Sequence, residues 1–242
     1  MKLLLYEGYL RNRKALCKEL GVSPGISRAE TERKLLLAGY ERWGCEIGNH
    51  LYGSFSFVLS DEERKELICV RDLFGIRPFY YTLLPDGELL FDTDIRRMAR
   101  DPRYRRALDE EALQLYMMFG YPAGERTLYR GIKKLMPGKY LVWKNGQYRI
   151  GTYFEPTFRP ENDRSEEELA ERIDQTLQDI LEEDRENFDF SRGCAFLSGG
   201  VDSSYLFSAS GVERALGIGY ATSSRGKFCM QRTSFCSGMD RK

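Results

Sequence analysis

Residues 193–210 read GCAFLSGGVDSSYLFSAS: a short apolar run, a burst of glycine and serine, then a stretch compatible with a helix. This succession of strand, small-residue loop and helix constrains the chain more than any other feature. A loop leaving a strand and opening a helix presents unpaired backbone N–H groups, and the helix dipole adds partial positive charge there, so an anion is stabilised at that point. Gly199 and Gly200 lack side chains that would block close backbone approach, Ser198, Ser203 and Ser204 offer hydroxyl donors, and Asp202 is placed to hold Mg²⁺ against phosphate oxygens. No lysine follows, so this is not the G-x-x-x-x-G-K-[ST] loop of ordinary phosphate-binding NTPases. By composition alone the segment reads equally well as a tight turn of small residues. The run RALGIGY, 214–220, is placed as the next strand of a doubly wound sheet.

Upstream the periodicity changes twice. RNRKALCKEL and ETERKLLLAGYERWG carry apolar residues at three- and four-residue intervals, predicting that the chain opens with two amphipathic helices separated by the turn-rich GVSPGIS. In YGSFSFVLSD, Phe55, Phe57 and Leu59 alternate with Ser54, Ser56 and Val58, as in a strand packed on one face. ELICVRD, RPFYYTLL, GELLFDTD, GKYLVWK and QYRIGTYF are further strand candidates, with turns at Pro85-Asp86-Gly87 and at the hairpin signal Asn145-Gly146. LDEEALQLYMMFG is a predicted helix with Asp109 as N-cap and Gly120 near its end. The polar stretch EPTFRPENDR, 155–164, is the expected linker, and Ser165 with Glu168 forms a capping box for a long helix whose apolar stripe is Leu169, Ile173, Leu177, Ile180 and Leu181. GCAFL is expected as a short buried strand, whereas residues 221–242 show neither helical nor strand periodicity.

Composition excludes several classes. Across 242 residues, 37 basic and 37 acidic side chains cancel, which leaves no electrostatic footprint for nucleic acid. The longest apolar stretches are too short for a transmembrane helix or a signal peptide, which predicts no membrane partner and a cytoplasmic protein. Six cysteines show no C-x-x-C pairing and the only histidine is His50, expected in a loop or at the surface, so reduced thiols are expected rather than a metal site of nitrogen and sulfur ligands.

The string Ser198-Gly199-Gly200-Val201-Asp202-Ser203 resembles the pyrophosphate loop of the ATP pyrophosphatases, and AFLSGGVDSS is most similar to that of glutamine-hydrolysing asparagine synthetases. Independently, LYGSFSFVLSD, CVRDLFGIRPFYY, LLFDTDIR and TLYRGIKKLMPGKYL are similar, in order and spacing, to the class II glutamine amidotransferase domain of the same enzymes. The resemblance covers roughly residues 4 to 219. It implies an α+β fold of layered antiparallel sheets for 1–154, a linker at 155–164, and for 165–220 the start of an α/β parallel-sheet ATP pyrophosphatase domain, incomplete here. Residues 221–242 stay unassigned, either out of frame or a tail. The implied activity is that of a carbon–nitrogen ligase: glutamine is hydrolysed in the first domain, and ammonia passes to an aspartate carboxylate activated by ATP in the second. Glutamine, aspartate, ATP and Mg²⁺ are the implied ligands, with Ser198, Gly199, Gly200, Asp202, Ser203 and Ser204 on ATP and Asp202 on the metal. A homo-oligomer stays open.

The chain departs from that family in the glutamine half. The family's nucleophile is a cysteine made N-terminal by methionine removal, and here residue 2 is Lys2, so no catalytic residue is assigned. The family's asparagine-glycine oxyanion pair falls on Glu7 and Gly8, its amino-group-binding glutamate on Tyr9, and its aspartate on Glu32, with Glu30 an alternative register. Gly8 and Glu32 are thus the residues of a degenerate glutamine site, with Asn12 also retained. A carboxylate at position 7 opposes a developing oxyanion. An inactive fragment of such a synthetase is therefore expected. The alternatives are a β-lactam synthetase or lasso-peptide cyclase type of adenylating enzyme without glutaminase activity, and a non-catalytic interaction module built on Phe55, Phe57, Phe79, Tyr80 and Tyr81. Arg71 and Asp72 are read as a structural, pocket-lining pair.

Overall fold

The computed structural model describes residues 1–158, 160, 164–222 and 228–235, with side chains described outside 218–222 and 228–235. It divides into two compact units, Met1–Phe158 and Arg159–Lys242, the division falling within the 155–164 segment.

The first unit runs β1 (Lys2–Leu10), α1 (Arg13–Leu20), α2 (Arg28–Trp43), a 3-10 turn (Gly44–His50), β2 (Gly53–Asp61), β3 (Glu66–Arg71), β4 (Tyr80–Leu83), β5 (Leu89–Asp92), α3 (Ile95–Arg100), α4 (Glu110–Phe119), β6 (Lys133–Lys134), β7 (Lys139–Lys144) and β8 (Gln147–Thr152). Five strands form one sheet in the order β1-β2-β3-β7-β8, and three form a second in the order β5-β4-β6; every pairing is antiparallel. Both expected N-terminal helices are present, but a strand precedes them, which corrects the expectation that the chain opens with helices. KLLLYEGYL has no clean alternation and only Leu10 is buried. Pairing with β2, from Lys2 opposite Ser60 to Leu10 opposite Gly53, makes it a strand.

The interior strand β2 is buried on both faces rather than one. Phe55, Phe57 and Leu59 join Leu16 of α1 and Leu35, Leu36 and Tyr40 of α2 in one apolar cluster, while Val58 joins Cys69, Phe79, Tyr81, Leu135 and Leu141 in another. The second cluster lies between the two sheets, so the unit has three layers: helices, large sheet, small sheet. Phe55, Phe57, Phe79 and Tyr81 are therefore core, and the interaction module that would have displayed them loses its basis.

Local signals held where their partners are local. Asn145 and Gly146 both take positive φ, 50° and 77°, and join β7 to β8 with Lys144 opposite Gln147, as a two-residue hairpin requires. Asp109 accepts from the Ala112 N–H at 2.9 Å to start α4, and Gly120 ends it in the left-handed conformation. The helix α3, capped by Asp94, and the short strand β6 had no clear period in the sequence.

In the second unit α5 (Glu166–Asn187) starts with the capping box of Ser165 and Glu168, both reciprocal hydrogen bonds being made. A short 3-10 turn (Phe190–Arg192), β9 (Ala195–Phe196), α6 (Val201–Ser210), β10 (Ala215–Thr222) and β11 (Phe228–Phe235) follow. β9 and β10 pair in parallel across α6, and β11 lies antiparallel to β10. Two expectations are corrected. GCAFL forms a strand, but Phe196 is 75% exposed, because no described element covers that face. Within 221–242, where no strand was expected, β11 forms through its pairing with β10; the remaining residues of that stretch after Thr222 lie outside the described ones.

Candidate functional site

Glu7, Gly8 and Tyr9 lie in the second half of β1, opposite the start of β2. Gly8 has φ +130°, and a Cβ there would sit 1.9 Å from the Ser54 carbonyl oxygen. Gly53, with φ +150°, approaches the Tyr9 carbonyl in the same manner. Glycine is thus required at position 8 by the close approach of two backbones, whatever ligand lies beside it.

Glu32 is 2% exposed and its carboxylate is already engaged. It accepts from the Tyr6 hydroxyl at 2.6 Å, the Leu10 N–H at 3.1 Å and the Arg28 Nε at 2.8 Å. Arg28 also donates to the Leu10 carbonyl and stands over the Tyr9 ring, 5.2 Å from its centroid. Burial, then the bond to Glu32, pushes the Tyr6 phenol well above the ordinary tyrosine range. Glu32 thereby brackets the Glu7–Tyr9 segment by holding residues on either side of it. The alternative register, Glu30, is half-exposed at the N-terminus of α2; it accepts from the Ile26 N–H and pairs with Lys34 at 2.9 Å, and those two partners hold its carboxyl below the usual range. Asn12 donates to the His50 carbonyl and accepts from the Tyr52 N–H, tying the β1–α1 corner to the entry of β2. His50 is half-buried, its ring stacked on Trp43 at 3.9 Å rather than free at the surface.

Glu7 is 44% exposed and faces Arg77 at 3.7 Å. Arg77 belongs to the loop that follows β3, and that loop is built around Arg71 and Asp72. The buried Asp72 carboxylate accepts four backbone N–H groups, from Phe55, Phe74, Ile76 and Arg77. The Arg71 guanidinium donates to the carbonyls of Arg77, Leu135 and Gly75. The pair acts as two separate backbone clamps rather than as an ion pair, and burial lowers the Arg71 pKa. The result is a rigid turn that sets Arg77 beside Glu7.

The small-residue loop lies in the second unit. Gly199 takes φ +85°, Gly200 is the N-cap of α6, and Asp202 is exposed in its first turn. The hydroxyls of Ser198 and Ser203 are 2.9 Å apart, Ser203 Oγ also accepts from the Ser198 N–H, Ser198 Oγ accepts from the Gly200 N–H, and Ser204 Oγ donates to the Gly200 carbonyl. Hydroxyls bonded to one another around an open helix start can be exchanged for phosphate oxygens, so these residues fit a phosphate group. For a metal, Asp202 offers a single carboxylate, and no group of three or more metal-ligating side chains occurs among the described residues.

The sequence points to Gly8 and Glu32 without Tyr6 and Arg28, which take up the carboxylate of Glu32. The i,i+4 spacing of Arg28 and Glu32 on a predicted helix was the available signal.

The first unit is thus a helical layer over two antiparallel sheets, with a glycine-constrained first strand facing an arginine–aspartate turn. Residues 1–154 match the glutamine amidotransferase domain family, and the chain belongs to that family. It is 30% identical over 206 residues to asparagine synthetase [glutamine-hydrolyzing] 1 of Bacillus subtilis, covering 85% of this chain and 32% of that protein. It is 28% identical over 204 residues to asparagine synthetase [glutamine-hydrolyzing] 3 of the same organism, covering 84% and 33%. Amidase chyE of Penicillium rubens is 30% identical over 179 residues, covering 71% and 25%. The chain thus spans about a third or less of the length of these relatives. No helix among the described residues is long and apolar enough to cross a membrane.

Proposed function

We propose that the chain belongs to a synthetase of the asparagine type, in which nitrogen from glutamine is transferred to the side-chain carboxylate of aspartate at the expense of ATP. The family match over 1–154 and the similarity of most of the chain to glutamine-hydrolysing asparagine synthetases support the lineage. In this reading ATP is held by Ser198, Gly199, Gly200, Asp202, Ser203 and Ser204, and Asp202 supplies one ligand to Mg²⁺. The metal would neutralise phosphate charge when bound; the chain's own contribution is the open start of α6 and its serine hydroxyls. The protein works in the cytoplasm on small molecules.

The observation that limits the glutamine half of this reading is Glu7. Its carboxylate is half-exposed beside Gly8, with Arg77 at 3.7 Å on one side. A carboxylate where an oxyanion must develop raises the barrier to amide hydrolysis, since the loss of a single oxyanion donor already costs about 10²–10³ in rate. Glutamine hydrolysis by the first unit is accordingly suppressed, and the Glu32 carboxylate is engaged within the fold by Tyr6, Leu10 and Arg28.

Glu7 and Tyr9 also support a second reading, an adenylating enzyme that has given up glutaminase chemistry and activates another carboxylate. ATP–pyrophosphate exchange measured across a panel of carboxylic acids separates the two. Exchange that requires aspartate supports the first reading, exchange with a different acid the second, and no exchange with any acid overturns both for the chain as it stands.

A further inference from the structure

A concavity of about 720 Å³ opens at the α1–α2 corner, sharing only Arg28 with the surroundings of Glu32. Arg13, Lys14, Cys17 and Lys18 of α1 form one wall; Arg28 and the 21–27 loop form the other. The lining holds four cationic side chains and no carboxylate, in a chain whose 37 basic and 37 acidic residues otherwise balance. Arg28 is compensated by the buried Glu32, whereas neither Arg13 nor Lys18 has a carboxylate partner among the described residues.

Two of these charges are placed against local electrostatics. Arg13 and Lys14 begin α1 with no acidic residue in the first turn, at the end where the helix dipole is positive. Asn12, the N-cap, does not cap: its side chain is spent on His50 and Tyr52. Lys18 stands in the last turn, where the dipole favours a cation. The opposite wall includes the N-terminal turn of the 16-residue α2, whose positive end already carries Glu30. Ser27, in that wall, accepts from the Glu30 N–H and keeps its own hydroxyl hydrogen for a ligand. An anion in the concavity pairs with Arg13 and Lys18, meets the Ser27 hydroxyl and offsets the positive start of α1.

We infer that this concavity binds a phosphate-bearing small molecule. Several cations and a hydroxyl suit the charge and multiple oxygens of a phosphate better than one carboxylate. The volume exceeds what a lone anion fills, and Val22 and Pro24 give apolar surface for an organic body. Neither Gly8, Glu32 nor the 198–204 loop lines the concavity, so a phosphate there is independent of the proposed function.

The test follows alkylation of Cys17 by iodoacetamide in the full chain, read by peptide mass, with AMP, inorganic phosphate or adenosine added, and Cys45, which lies outside both the concavity and the 198–204 loop, as the internal control. AMP is expected to slow Cys17 severalfold and leave Cys45 unchanged, and adenosine to do nothing. Equal protection by phosphate and AMP assigns the site to the inorganic anion; stronger protection by AMP assigns it to an organic phosphate. Arg13→Glu and Lys18→Glu, checked for folding by thermal melts, each weaken protection by at least about tenfold. Should one of them not fold, Lys18→Ala gives the same comparison at an exposed position. Unchanged Cys17 reactivity at about 10 mM AMP and phosphate, a Kd weaker than that of most specific ligands, overturns the inference. So does protection that survives the charge reversals.

Discussion

The Tyr6 hydroxyl of β1 donates to the Glu32 carboxylate of α2 at 2.6 Å, and this bond joins the helical layer to the edge strand that carries Glu7 and Gly8. Arg28 and the Leu10 N–H complete the set of donors, so a residue read as a substrate ligand is at the same time a structural anchor.

Removing that anchor should be costly. Glu32→Ala leaves Arg28, the Leu10 N–H and Tyr6 without their acceptor and is expected to destabilise the chain by about 3–5 kcal/mol, as when one partner of a buried pair is lost. Tyr6→Phe removes one bond and should cost about 1–2 kcal/mol. Urea unfolding of both single variants and the double variant measures the coupling, and additive losses would mean that the two groups do not interact.

Burial of the Tyr6 phenol, and after it the same bond, makes stability depend on pH in the alkaline range. The folded protein holds the Tyr6 phenol above its ordinary value of 10.0, so the unfolded chain loses that proton first. The stabilisation is full below about pH 10 and declines as pH rises beyond it. In the Tyr6→Phe variant the alkaline decline in melting temperature should be shallower than in the parent; an identical decline would contradict the assignment.

Glycine substitutions should separate into two kinds. Gly8→Ala places a Cβ 1.9 Å from the Ser54 carbonyl oxygen, against backbone that cannot step aside, and is expected to cost about 3 kcal/mol or more. Gly21→Ala meets nothing within 4 Å, and only its φ of +63° is unfavourable, for about 1–2 kcal/mol. Comparable losses in the two variants would show that the β1–β2 approach is looser than described.

The turn that positions Arg77 depends on Asp72. Asp72→Asn keeps the shape but replaces one acceptor oxygen by a donor facing backbone N–H groups, and should cost about 2–4 kcal/mol in chemical denaturation. A near-neutral result would remove the carboxylate clamp as the organiser of this loop.

The charge at position 7 is half-exposed and meets only one cation. Glu7→Asn removes the contact with Arg77 at 3.7 Å, and because both side chains are partly exposed it should change stability by no more than about 1 kcal/mol. Urea unfolding of the parent and the variant checks this, and a loss of several kcal/mol would make Glu7 a structural residue.

Much of the architecture was legible because its causes are local. Asn145-Gly146 takes two positive φ angles that those residues accept, Asp109 and Gly120 delimit α4, and Ser165 with Glu168 starts α5; in each the partners lie within a turn of one another. The candidate site was legible only in part. Gly8 could be found by resemblance, but its need for glycine comes from Ser54, more than forty residues away in the chain.

The helices α1, α2, α4 and α5, the strands β2 to β5, β7 and β8, the hairpin, the helix caps and the small-residue loop before α6 were thus determined by the sequence itself, through backbone preferences and side-chain bonds that short segments satisfy alone. Tertiary structure decided what such segments cannot. It made Lys2–Leu10 a strand through β2, buried the second face of β2 beneath the small sheet, and added β11 beside β10. It also turned Glu32 inward to Tyr6 and Arg28 while leaving Glu7 beside Arg77. The reason is common to all of these: hydrogen-bond partners and buried faces supplied by distant residues outweigh a local pattern too weak to choose by itself.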